Sequence, residues 1–139
     1  MLRNGKACRE SGQSLVELAL MLPFLALILL GILDLGRVFN AYITITNSAR
    51  EGAFFASTCL PAGTCASDAP IKAWVQAEAA GSGIAISATD VQVTHPSDSP
   101  GEPVIVRVSV PFRALSTMIG SFWGGGDLTL TSEATVVIR

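Results

Sequence analysis

Between Leu18 and Leu33 the chain carries no charged residue, and eleven of these sixteen positions are Leu, Ile or Phe. At about 1.5 Å per helical residue this run covers roughly 24 Å, and from Leu15 to Leu35 it covers about 31 Å, which matches a hydrocarbon core of about 30 Å. The large apolar residues, at roughly -0.3 to -0.6 kcal/mol each, supply on the order of -5 kcal/mol toward insertion and outweigh Pro23 and Gly31. The run predicts one membrane-spanning helix, and every other segment is placed relative to it.

Glu17 conflicts with that helix. It lies within the apolar margin, where an acidic side chain costs up to about 2.5 to 3.5 kcal/mol at full depth. Cleavage between Gly12 and Gln13 answers the conflict, because the new amino group of Gln13 lies four residues before Glu17. An ammonium on one subunit and a carboxylate on its neighbour then neutralise each other in a low dielectric, which makes the pair an assembly signal.

A short basic leader, Gly12 before the cut, Glu17 at the fifth mature position and a long apolar helix together resemble a type IV prepilin signal. The continuation Gly12-Gln13-Ser14-Leu15-Val16-Glu17 through Pro23, then Gly31 to Arg37 and Asn47 to Ala53, is similar to the TadE-like family of pilin-like proteins. The resemblance covers residues 12–56 and implies a minor pilin or pseudopilin of Tad (type IVc) pilus assembly, a machinery for adhesive filaments. It also implies prepilin peptidase as the processing enzyme, with other pilin and pseudopilin subunits and Tad inner-membrane platform proteins as partners. Gly12, Gln13 and Glu17 match the motif residue by residue. Residues 57–139 carry no family motif.

The expected organisation is a cleaved cytoplasmic leader over 1–12, a transmembrane helix with its exterior extension over 13–56, and a small α+β exterior domain over 57–139. Three basic residues, Arg3, Lys6 and Arg9, precede the helix, whereas Arg37 and Arg50 beyond it are dispersed, so the amino end is expected in the cytoplasm of a single-pass inner-membrane protein. The competing reading is an uncleaved signal anchor carrying an exterior binding module. A secretory signal peptide fits poorly, since Leu33-Asp34-Leu35-Gly36 is a weak cleavage site. A lipoprotein signal on Cys8 has no apolar run before it.

The formal net charge is -2, and losing Arg3, Lys6, Arg9 and Glu10 removes two net positive charges to leave about -4. With no basic stripe, nucleic acid is not expected as a partner. Cys59 and Cys65 flank Leu-Pro-Ala-Gly-Thr in a compartment that permits oxidation and are expected to pair, for roughly 2 kcal/mol on the chain-entropy model. A zinc site would need further ligands, and His95 is the single histidine of the chain.

Past the membrane, Leu35, Val38, Phe39, Tyr42, Ile43, Ile45, Ala49 and Ala53 continue a helical period, with Asp34 facing Arg37 and Asn47 facing Arg50 or Glu51. Residues 57–70 read as a loop. A short helix follows with Ile71, Trp74, Val75 and Glu78 or Ala79 on its packing face, Trp74 anchoring it on a sheet, and a stop at Gly81-Ser82-Gly83. The period then changes to two: strands are expected at Ile84 to Ile86, at Val91 to Val93, from Val104 to Pro111, and over the final stretch with Leu128, Leu130, Ala134, Val136 and Ile138 on one face. His95 to Pro103 reads as an exposed hairpin loop, Leu115 to Phe122 as a short helical excursion, Phe122 and Trp123 as a lid over the sheet, and Gly124 to Gly126 as a flexible connection.

A nucleophile with a neighbouring base, a phosphate loop and a carboxylate pair on rigid elements are all missing from the pattern. Asp98 and Glu102 share a loop and read as a solvated turn rather than a calcium site. The expectation is no enzyme and no cofactor: the chain reads as a substrate of processing and a part of an assembly.

Overall fold

One helix, α1 (Ala7–Cys59, 53 residues), runs through more than a third of the sequence. The computed structural model describes residues 7–65, 67–113 and 128–139, with side chains from Gly12 onward. α1 begins inside the expected leader, ahead of Gln13, and ends beyond Ala56, so helix extends over residues 7–12 as well. The reason is cooperativity: once a helix is nucleated, each further residue fixes few dihedrals and adds a hydrogen bond, and no proline stands between Ala7 and Gly12 to stop it. α1 also continues through Pro23.

The two ends of α1 have different surroundings. From Leu15 to Leu33 its large apolar side chains are exposed on the isolated chain, and by length and composition the helix can cross a membrane. From Ala41 onward one face is buried, formed by Ala41, Thr44, Ile45, Ser48, Ala49, Gly52, Ala53 and Ala56. This corrects the expected face in part. Ile45, Ala49 and Ala53 are buried as expected, whereas Leu35, Phe39, Tyr42 and Ile43 point outward. Small residues make the seam because they let the helix axis approach its neighbours closely, and the buried hydroxyls of Ser48 and Ser57 bond to the carbonyls of Thr44 (2.9 Å) and Phe54 (2.8 Å).

Against that seam lies a three-stranded antiparallel sheet of β1 (Val91–Thr94), β2 (Pro103–Phe112) and β3 (Leu128–Val137), in the order β1-β2-β3. Alternation sets its faces: Val104, Val106 and Val108 of β2 are fully buried. Each such side chain stabilises by roughly 1.5–3 kcal/mol. The opposite face is polar, with Arg107 Nε donating to Glu133 (2.9 Å) and Ser109 beside Thr131 (3.1 Å) across the strand pair. On β3, Leu128, Leu130, Ala134 and Val136 share the inner face, as expected, with buried Ser132 among them.

Two bonds fix the direction of the sheet along α1. Near the start of the globular half, Arg37 donates to the Arg113 carbonyl (3.5 Å); near its end, the Arg139 amide donates to the Ser57 carbonyl (3.2 Å). The helix rises about 30 Å between Arg37 and Ser57, and a ten-residue strand spans about 33 Å, so β2 and β3 lie along the helix for their whole length. β3 runs with α1 and β2 runs against it.

α2 (Ala69–Gly81) packs beside α1 through Ile71, Val75 and Ala79 and stops where Gly83 takes φ +78°, a conformation glycine adopts without a Cβ clash. Trp74 does not anchor this helix on the sheet. It stacks on Phe55 of α1, centroids 4.8 Å apart and planes within 2°, and stays 48% exposed. The expected strand at Ile84 to Ile86 is also absent: the Ile86 carbonyl accepts from Gln76 (2.8 Å), and a capping box between Ser87 and Asp90 turns the chain through a 3-10 turn, Ala88–Asp90. Val91 to Val93 forms the edge strand β1, and β2 continues past Pro111 to Phe112. The expectations for Leu115 to Phe122, for Phe122 and Trp123 as a lid, and for Gly124 to Gly126 fall outside the described residues, as do residues 1–6.

Candidate functional site

At the amino end of the membrane run, helical geometry brings residues four apart onto one face. The Gln13 side-chain amide donates to Glu17 Oε1 at 3.2 Å. In the intact chain Glu17 is thus already engaged by the residue whose backbone nitrogen would become the amino terminus after a cut at Gly12. The Gly12–Gln13 bond lies inside α1, and space around Gly12 is open. Glycine is the residue ordinary helices tolerate least after proline, by roughly 1 kcal/mol against alanine, so this is a weak point in an otherwise strongly helical segment.

At the other end of the run stands a second polar group. Asp34 is 4% exposed and accepts from Arg37 at 3.2 Å. The guanidinium of Arg37 also lies 5.1 Å from the centroid of Phe112 and bonds the Arg113 carbonyl. One side chain therefore joins the helix to the end of β2 across 76 positions of sequence. The expected Asp34–Arg37 pair is present with this added reach. Arg50 and Glu51 are exposed on α1, and among the described residues no side-chain bond joins them to Asn47.

Cys59 and Cys65 lie at disulfide distance, with Cα atoms 5.3 Å apart, and close the turn that ends α1. Nearby, His95 is held between two carboxylates, Nε2 3.3 Å from Asp68 and Nδ1 3.1 Å from Asp98. This clasp ties the loop after β1 to the start of α2. Sequence reasoning missed it: the signal was a single histidine in a turn, with Asp98 three positions on and Asp68 at the helix start. Among the described residues no group of three His, Cys, Asp or Glu is arranged to hold a metal ion.

Helix, exposed apolar run, Gly12, Gln13 and Glu17 form one continuous unit, and residues 12–53 match the family described as TadE-like protein. Over this segment the chain is similar to TadE-like proteins. The match takes in the membrane run and most of the seam and stops before the disulfide turn, α2 and the sheet, so the family likeness resides in α1. The chain has no match among curated proteins or solved structures. The likeness to TadE-like proteins over residues 12–53 suggests a part in Tad pili, and among the described residues one helix is long and apolar enough to cross a membrane.

Proposed function

We propose that this TadE-like protein is a minor pilin or pseudopilin of Tad pilus assembly. It is inserted with its amino end in the cytoplasm, cut by prepilin peptidase between Gly12 and Gln13, and joined to other pilin-like subunits through α1. Inner-membrane platform proteins of the same machinery are its further partners. The protein acts as a structural part and not as a catalyst.

The observation that carries this reading is the exposure of α1 from Leu15 to Leu33 beside a polar Gln13–Glu17 pair. A lone spanning helix needs no acid at its margin; an acid there acquires a purpose once a cationic terminus from a neighbour can reach it. Small residues at Gly31 and Gly36 allow a second helix to come close. The Asp34–Arg37 pair adds no net charge on the outer flank and so leaves the basic leader to set orientation.

The test is photo-crosslinking in native membranes, with the reactive group placed at Leu25, on the exposed apolar run. Crosslinks to other pilin-like subunits are expected. A protein crosslinked to lipid alone, in cells that are building pili, would instead support the uncleaved anchor with an exterior binding module.

A further inference from the structure

The apolar run and the sheet meet at one level of α1. Leu35 closes the run, and Arg37 lies two residues on, about 3 Å further along the axis. Outside a hydrocarbon core of about 30 Å, the headgroup zone is roughly 5–7 Å deep on each side. Arg37 therefore falls within it, and the Arg37 contacts to Phe112 and the Arg113 carbonyl bring the end of β2 to the same depth.

We propose that this end of the sheet rests in the outer headgroup layer, with Arg113 on lipid phosphate, Leu35 at the boundary between headgroups and acyl chains, and Phe39 and Phe112 among the headgroups. The proposal rests on the reading that α1 spans the membrane, and it goes beyond that reading by giving the globular half a lipid contact of its own. Three observations carry it.

First, Leu35 is 69% and Phe39 65% exposed, although both lie on the portion of α1 that carries or adjoins the folded half. Side chains of this size facing water are a cost; facing lipid they are a match. Second, the charges are sorted. Arg37 is committed to buried Asp34, whereas Arg113 is exposed and has no ion pair among the described residues. Asp68, Asp98 and Glu102 lie toward the opposite end of the sheet, where the Ile138 amide meets the Glu102 carbonyl and Arg139 meets Ser57. Third, an arginine on an apolar floor suits this depth, because its stem packs against hydrocarbon while the guanidinium reaches phosphate.

The experiment uses the full chain, one copy per lipid nanodisc of mixed phosphatidylglycerol and phosphatidylcholine, observed by amide NMR. A gadolinium chelate attached to the headgroups is expected to broaden the amides of Phe112 and Arg113 as strongly as that of Leu35, and to spare Gly101 and Ser82. One basic residue at an anionic surface shifts a contact equilibrium by about fivefold. Arg113→Glu is therefore expected to leave at least fivefold fewer docked molecules and sharper Phe112 signals, with Arg113→Lys close to the parent. A second label on the acyl chains reports the span through Leu25. If Leu25 broadens while Phe112 and Arg113 stay as sharp as Gly101, the lipid contact is wrong and the spanning helix stands. If Leu25 itself does not broaden, both are wrong.

Discussion

Gly52→Val should lower the thermal midpoint of the globular half by about 10 °C or more. A Cβ at this position would fall inside the van der Waals envelope of Val75 Cγ2, with Val106 Cγ1 only 3.6 Å away. This is where α1, α2 and β2 meet, so the added atoms have no direction in which to move. Overpacking costs about 1–3 kcal/mol and sometimes more, whereas the helix propensity recovered on leaving glycine is under about 1 kcal/mol. The steric term wins. For a domain of this size each kcal/mol moves the midpoint by about 4–8 °C. Trp74, stacked on Phe55 at the same helix pair, gives a fluorescence readout in detergent. Val75→Ala placed in the Gly52→Val background should recover much of the loss, since it removes the opposing methyl groups. An unchanged midpoint in the single variant would mean that the two helices do not cross at Gly52.

Glu17→Ala should act in opposite directions on insertion and on assembly. Removing the acid relieves up to about 2.5 to 3.5 kcal/mol of insertion cost, so membrane recovery should hold or rise. Joining to other subunits should fall more than tenfold, because taking away one partner of an ion pair in a low dielectric leaves the other charge uncompensated, at a cost of about 3–5 kcal/mol when fully buried. Glu17→Gln keeps the shape and loses the charge, and should fall with alanine. Crosslink yield from Leu25, normalised to membrane-bound protein, reads both effects. Normal incorporation of the alanine variant would remove the charge pair from the assembly step.

Much of this was legible before any fold was known, and the failures have physical causes. The run from Leu18 to Leu33 announces its helix by composition alone, and the contact of Gln13 with Glu17 follows from their four-residue spacing. β2 and β3 were readable because apolar residues at alternate positions, valines on β2 and Leu128, Leu130, Ala134 and Val136 on β3, leave one arrangement of faces. The seam of α1 was misread where size was taken as a sign of burial. Ala41, Ser48 and Gly52 are inside because they are small, and Leu35, Phe39 and Ile43 are outside on a helix that continues out of an apolar run. Ile84 to Ile86 alternates like a strand, but it is caught between the positive-φ turn at Gly83 and the capping box at Ser87, with no partner strand among the described residues. The Arg37–Arg113 bond and the His95 clasp join positions 76 and 27 apart, and no local pattern encodes such contacts.

The processing step is read most directly from the mass and amino-terminal sequence of the chain in membranes of cells with and without prepilin peptidase. With the peptidase the chain should begin at Gln13; without it, at Met1. A chain that begins at Met1 in both would contradict the cut at Gly12 and leave a membrane anchor that is never trimmed.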